Sequence, residues 1–184
     1  MDNIKKFKFK IIKNFLTKNE LNIFENYCKI RHRLNDSEFT NDILTWDTSI
    51  YGDPLMEALL LNKKTKMEEL TGLSLLPTYA YWRMYTKYAD LTSHKDRESC
   101  EISATLNIGS DGTPWAFFIE NQRILLNPGD CAIYLGCELT HWREEFMGDW
   151  CAQTFLHYVD ANGPYTNHEK DKRKLWGNKE GQRQ

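Results

Sequence analysis

The sequence has little of what marks a membrane, secreted or nucleic-acid-binding chain. No apolar stretch approaches the ~18 to 20 residues that a bilayer span requires, so no transmembrane helix is expected. Charge of one sign is missing as well: 24 basic side chains stand against 26 acidic ones, a formal net charge of -2 at pH 7. No overall field draws such a chain to nucleic acid or to anionic lipid. The start, Met1-Asp2-Asn3-Ile4-Lys5-Lys6, alternates charge with apolar residues and lacks the hydrophobic region of a signal peptide. The cysteines, Cys28, Cys100, Cys131, Cys137 and Cys151, are odd in number and show no C-x-x-C spacing. Most sit inside apolar runs, where a free thiol behaves as a small hydrophobe, which argues for a reducing, cytoplasmic setting. Internal repeats and an interdomain linker are also absent. With 184 residues the chain can fill one core but not two, so a single domain over 1–184 is expected.

What is present is 41% hydrophobic and 13% aromatic residues, a globular composition. Residues 6–12, Lys-Phe-Lys-Phe-Lys-Ile-Ile, alternate with period 2 and read as an edge strand carrying lysines outward. Thr17-Lys18-Asn19-Glu20 is a capping-box pattern ahead of Leu21, Phe24, Tyr27 and Cys28 at helical spacing. A polar loop is predicted over 35–41 and a short strand over 43–50. Asp53-Pro54 then opens a second helix over 55–70 that stops at Thr71-Gly72. Beyond Pro77 the pattern is almost wholly β, with strands predicted over 78–88, 100–108, 115–120, 122–126, 131–135 and 150–159. Gly, Pro, Asp and Asn turns separate them, which suggests a sandwich or barrel. Residues 1–76 thus form a strand and helical support, 77–160 a β core, and 161–184 a polar tail, partly disordered or carrying a short surface helix over 169–176.

One pattern within the β core points to chemistry. His94-Lys95-Asp96 is an H-x-D pair placed at a strand end, where period 2 sends both side chains to one side. His141 follows an apolar run, Cys131 to Leu135, that is fed by the turn Asn127-Pro128-Gly129-Asp130. Two imidazoles and one carboxylate on one face of an ion leave the opposite coordination positions open, the arrangement that non-haem Fe(II) oxygenases use. On the strand before this motif Tyr79, Tyr81, Arg83 and Tyr85 share a face and resemble a polar pocket wall. On the next strand Ile102, Ala104, Leu106 and Ile108 alternate with Glu101, Ser103, Thr105 and Asn107, so one face is core and the other meets solvent or a site. His157, in an apolar strand, reads as a hydrogen-bonded core residue, His32 and His168 as solvated, and Trp115, Trp142 and Trp150 as packing residues or a substrate slot.

From about Pro77 to Val159 the chain resembles the 2-oxoglutarate and Fe(II)-dependent dioxygenases of the prolyl 4-hydroxylase-like group, in their small bacterial and phage form. The matching residues are Arg83-Met84-Tyr85, Leu91-Thr92-Ser93-His94-Lys95-Asp96, Pro128-Gly129-Asp130, His141-Trp142-Arg143 and Gln153-Thr154-Phe155. The resemblance implies a mainly β, α+β chain with a double-stranded β-helix (jelly-roll, cupin-like) and N-terminal helices packed on one sheet. It implies His94, Asp96 and His141 as ligands of catalytic Fe(II), with 2-oxoglutarate and O2 as cosubstrates. Tyr85, nine residues before the first ligand, would lie beside 2-oxoglutarate, and Thr105, with Ser103 on the same face, would reach it from the following strand. The reaction implied is hydroxylation of an unactivated C–H bond, possibly of a prolyl or other amino-acid-like substrate, with release of succinate and CO2.

The chain departs from the family at one place. A basic residue expected about nine or ten positions after the distal histidine is replaced by Gly148-Asp149-Trp150-Cys151. A buried carboxylate needs a partner, and Arg143, in strand parity with His141, is the first candidate, followed by Arg83 and Arg97. Two other readings stay open: a non-catalytic jelly-roll that binds a metal or small acid, and a metalloenzyme of similar shape using Zn(II) or Mn(II) as Lewis acid. Substrate identity and oligomeric state are not readable from these residues.

Overall fold

The computed structural model describes residues 8–34 and 47–177; the expectations for 6–7, 35–41, 43–46 and 178–184 lie outside the described residues. The chain opens with β1 (Phe9–Ile12), α1 (Lys18–Arg33), β2 (Thr48–Tyr51) and α2 (Pro54–Thr71). Eight strands follow: β3 (Leu75–Thr86), β4 (Leu91–His94), β5 (Ile102–Ser110), β6 (Phe117–Ile119), β7 (Gln122–Ile124), β8 (Cys131–Leu135), β9 (His141–Arg143) and β10 (Trp150–Asp160).

Local chemistry sets the helix ends. The Glu20 backbone N–H donates to Thr17 Oγ1 at 3.2 Å and the Thr17 N–H to Glu20 Oε2 at 2.8 Å, the reciprocal capping box that starts α1. Asp53 caps α2 by accepting from Leu55 and Met56, Pro54 supplies a preset φ, and Gly72 ends the helix at φ +73, a conformation that glycine adopts without penalty.

The strands form two antiparallel sheets, one ordered β1-β8-β5-β10-β3-β2 and the other β4-β9-β6-β7. From β3 onward the chain passes back and forth between them, which gives a double-stranded β-helix. The pleat of the larger sheet sorts its residues by parity. Ala80, Trp82 and Met84 of β3, Ile102, Ala104 and Leu106 of β5, Ile133 of β8 and Ala152 and Leu156 of β10 turn outward to Phe24, Met56, Leu60 and Met67 of the helices, and this is the main core. The opposite parity turns inward, toward the smaller sheet.

Four expectations need correction. The strand over 78–88 begins earlier, at Leu75, and carries Pro77 where the register of β10 shifts between His157 and Tyr158, a bulge that spares proline a missing ladder bond. The apolar run of β8 does not deliver His141; the chain turns after Leu135, and His141 opens a separate strand in the other sheet. Asp96 lies beyond the end of β4, so strand alternation does not place it. The tail over 169–176 is not a surface helix. Its 3-10 turn Thr166–Lys172 contains Lys170, Asp171 and Lys172 at φ +53, +53 and +63, and it leads into Arg173, whose side chain is wholly buried. There Arg173 pairs with the buried Glu57 and donates to the Thr78 carbonyl at 3.2 Å, in a slot left open by Gly52. No helix among the described residues is long and apolar enough to cross a membrane.

Removing one partner of a buried ion pair leaves the other charge uncompensated, at a cost of about 3–5 kcal/mol. Arg173→Ala is therefore expected to lower the urea unfolding midpoint by that amount of stability, whereas Lys172→Ala, one residue earlier and exposed, leaves it nearly unchanged.

Candidate metal centre

β4 and β9 pair at the edge of the smaller sheet with His94 opposite His141, and their ring centroids lie 4.3 Å apart. Asp96 joins them from the following loop, where its backbone N–H donates to the Gly136 carbonyl at 2.9 Å. Asp96 Oδ1 then stands 3.6 Å from His94 Nε2 and 3.4 Å from His141 Nε2, and one donor atom from each of the three residues falls within 4.8 Å of the others. Ligand atoms about 2.1 Å from a first-row ion lie roughly 3 Å apart when at right angles, so these three can share one ion.

Hydrogen bonds behind each donor set its direction. His94 Nδ1 lies 2.7 Å from the Thr92 carbonyl and His141 Nδ1 2.9 Å from the Leu139 carbonyl; since a carbonyl only accepts, both Nδ1 atoms carry the proton and both Nε2 lone pairs are free. Asp96 Oδ2 accepts from Ser103 Oγ at 2.8 Å, leaving Oδ1 toward the imidazoles. Burial alone would raise the Asp96 carboxyl, but His141 and His94 beside it hold it well below the usual carboxylate range. The Asp96 carboxylate in turn raises His94 above an ordinary histidine. Ser103 Oγ also meets His157 Nδ1 at 3.0 Å and the Cys100 carbonyl at 3.1 Å, and burial brings the His157 imidazole down to about 4, so it is neutral. Asp96, Cys100 and His157 also converge within 4.8 Å, but the Ser103 hydroxyl occupies their midst and makes them a hydrogen-bonded support.

A cavity of about 200 Å³ opens in front of the three donors. Tyr79, Tyr81, Arg83 and Tyr85 do form one wall, as their shared strand face suggested. Facing residues that the sequence reading did not assign to a site are Phe117, Tyr134, Phe155 and His157. Phe155 and His157 pair across β3 with Tyr81 and Tyr79, so strand parity alone could have placed them. Tyr134 was concealed in a continuous apolar run. Ser103 is engaged behind Asp96, and Thr105 meets the cavity through Tyr134, whose hydroxyl lies 3.2 Å from Thr105 Oγ1. Burial pushes the Tyr85 phenol up, so it stays protonated and able to donate.

The three candidate arginines differ in their partners. Arg97 is held by both Asp171 carboxylate oxygens at 2.8 and 2.7 Å on the exterior. Arg83 lines the cavity while its Nε donates to Asp47 at 2.8 Å. Arg143 is 4% exposed and has no carboxylate partner among the described residues; it donates to the Trp115 carbonyl at 2.9 Å and to Gln153 Oε1 at 3.3 Å. Its guanidinium lies over the rings of Trp115 and Phe117, at 4.5 and 5.1 Å. It lines a second cavity of about 300 Å³, and the Phe117 ring under its guanidinium also meets the His141 ring edge-on at 5.8 Å.

Other side chains resolve as packing or as hydrogen-bonded supports. Trp115 donates to the Glu144 carbonyl and packs on Phe146, and Trp142 stacks on Phe118. His32 and His168 are not simply solvated: His32 bonds Thr48 Oγ1 at 2.8 Å, and His168 lies 3.1 Å from Glu98 Oε2.

No known protein-family profile matches the chain, and no curated protein sequence does. Solved structures do. The non-heme alpha ketoglutarate dependent epimerase SnoN from nogalamycin biosynthesis superposes with a TM-score of 0.69 at 11% identity, over 84% of this chain and 77% of its own. HygX from Streptomyces hygroscopicus, with nickel and 2-oxoglutarate bound, gives 0.66 at 11% identity over 84% and 83%. A Pseudomonas putida prolyl-4-hydroxylase gives 0.63 at 14% identity over 84% and 94%. At these identities the likeness establishes the fold, the double-stranded β-helix common to such oxygenases.

Gly136 leaves the space in which the Asp96 carboxylate rests. A Cβ there would press on Asp96 Oδ2 and the Cys100 carbonyl and come within 2.7 Å of Ser103 Oγ. Gly136→Ala is expected to weaken binding of Co(II), used as a visible probe, at least roughly tenfold, as loss of ligand support commonly does. Ser103→Ala should move the affinity the same way with a smaller change, and the Co(II) titration read at its d–d bands checks both.

Proposed function

We propose that this double-stranded β-helix is an Fe(II)- and 2-oxoglutarate-dependent dioxygenase that hydroxylates an unactivated C–H bond and releases succinate and CO2. The observation that carries the reading is the convergence of His94 Nε2, His141 Nε2 and Asp96 Oδ1 at the head of a cavity, with every other polar atom of those side chains held from behind. Two neutral nitrogens and one carboxylate, open on the cavity side, suit a ferrous ion that must also accept cosubstrate and O2. Bound together, iron and 2-oxoglutarate supply the oxidising chemistry, in which decarboxylation is coupled to C–H hydroxylation.

The residues of the chain bind, orient and shield. Carbonyls of Thr92 and Leu139 keep the protons on Nδ1, so both neutral imidazoles present their Nε2 lone pairs to the cavity. Ser103 and Gly136 fix the rotation of the Asp96 carboxylate. Tyr85, buried and protonated, donates to the cosubstrate from the cavity wall. Arg143 is the partner for its far carboxylate: it stands two residues beyond His141 on β9, a rise of roughly 6.6 Å that matches an extended five-carbon diacid. A buried guanidinium facing only neutral groups is poised for an anion, whereas Arg97 and Arg83 already hold acids. The rings of Tyr134, Phe117 and Phe155 keep water from the reacting centre. At the more open rim, Tyr81, Phe155 and Leu91 receive the substrate, and a prolyl or other amino-acid-like group is of a size to enter.

Under argon, Fe(II) with 2-oxoglutarate is expected to give a weak visible charge-transfer band that disappears in Asp96→Ala, and in air the wild-type protein forms succinate. With no band and no succinate the dioxygenase reading fails, and the fold serves to bind a small acid without catalysis. Arg143→Ala is expected to raise the 2-oxoglutarate concentration for half-maximal band formation by roughly 30-fold or more, the cost of leaving a buried carboxylate unpaired. Arg97→Ala should change it by less than about threefold.

A further inference from the structure

The segment that follows β10 crosses the molecule as a strap, and two of its side chains turn into the protein. Arg173 is buried against Glu57, and Asp171, whose side chain is 8% exposed, faces the loop that follows the metal motif. Around Asp171 the backbone is left-handed over three consecutive residues, Lys170, Asp171 and Lys172, a conformation that L side chains adopt only at a cost. The Arg173 pair already anchors the strap, so what the strained turn adds is the position of Asp171.

Both Asp171 carboxylate oxygens accept from Arg97, at 2.8 and 2.7 Å, and the Tyr51 hydroxyl donates to Oδ2. Arg97 is 52% exposed, so the ion pair by itself contributes little to global stability. Its place in the chain gives it another consequence. Arg97 directly follows Asp96, and its carbonyl accepts the Cys100 N–H at 2.8 Å and the Cys137 thiol at 3.1 Å, which fixes the loop that carries the carboxylate ligand. The same guanidinium lies over the Tyr79 ring at 4.7 Å, and the Tyr51 ring packs on Tyr79 at 4.8 Å. Tyr79 in turn stacks on His157, the imidazole that meets Ser103 behind Asp96. The Asp171 carboxylate thus holds two of the side chains packed on Tyr79, and it reaches Asp96 both along the backbone and through that stack.

We propose that Asp171 is a positioning residue for the metal centre: by clamping Arg97 and Tyr51 it keeps Asp96 in ligand geometry, so that docking of the strap and binding of the metal reinforce each other. The inference rests on the reading of His94, Asp96 and His141 as metal ligands, and on no choice of cosubstrate or substrate. Coupling between two sites is reciprocal, so the factor that the docked strap adds to metal affinity is returned by the metal to the docked strap.

Co(II) titrations of the full chain, read at the d–d bands, test one direction. Asp171→Asn keeps the size of the side chain and removes its charge; it is expected to weaken Co(II) binding at least roughly fivefold and to shift the d–d spectrum at saturation. Hydrogen exchange of the wild-type chain tests the other direction and needs no variant. The His168 and Arg173 amides, which donate to the Tyr165 and Lys170 carbonyls, are expected to exchange more slowly by a comparable factor when Co(II) is saturating. Co(II) affinity in Asp171→Asn within about twofold of the wild type, or strap exchange indifferent to Co(II), would overturn the proposal. Weaker binding with an unchanged spectrum would mark a general loss of stability and overturn it as well. Asp96→Ala separates this from the metal reading: if it binds Co(II) as tightly as the wild type, the ligand assignment fails and the inference with it, whereas loss in Asp96→Ala alone sinks only the role of Asp171.

Discussion

The Asp96 carboxylate ties the two sheets together through polar contacts at both of its oxygens. One oxygen faces imidazoles carried by β4 and β9 of the smaller sheet, while the other is held by Ser103 on β5 of the larger one. Neither sheet alone defines the position of this group, and Gly136 must stay small for it to fit. Ser103 extends the support to His157 on β10, and Tyr79 on β3 stacks on that imidazole at 4.5 Å. Ser103, His157 and Tyr79 are buried and each has a partner, the condition under which a polar network rigidifies. A shift of β4 against β5 would therefore be felt first where His94, His141 and Asp96 converge.

The pleat of the larger sheet separates stability from chemistry. Residues of one parity meet α1 and α2 and form the apolar core, whereas their immediate neighbours line the cavity with phenols, an imidazole and one guanidinium. Substitutions on the inner face can alter the cavity with little loss of the helix-facing core. The cost is a set of buried polar groups that must be satisfied one by one. Arg143 is met by neutral acceptors alone, and its charge has no acid partner among the described residues.

Much of this organisation was legible in the sequence, and what was not has a physical reason. The capping box at Thr17, the helix stop at Gly72 and the alternation of β5 are local patterns, and each specifies its own backbone. The H-x-D spacing pointed to a metal, but Asp96 reaches its place through a hydrogen bond to Gly136, 40 residues further along the chain, and no strand periodicity encodes that. Tyr134 sits in a run read as uniformly apolar, where one phenol does not break the pattern. The missing cation after His141 was visible as an absence, while the lack of an acid partner for Arg143 among the described residues emerges only when the sheets are closed. Composition misled at the tail, because a lysine-rich segment conceals Arg173, whose side chain is wholly buried.

That arginine has a temporal consequence. Glu57 and Arg173 are separated by 116 positions, so on a ribosome the carboxylate is made long before its counter-charge. Until then the site on α2 must remain hydrated, and the first helices and strands can gather without sealing it. Closure around Glu57 is thus tied to the synthesis of the segment that carries Arg173, and a nascent chain stalled before it would present this unsealed acidic seam to the cell's quality control.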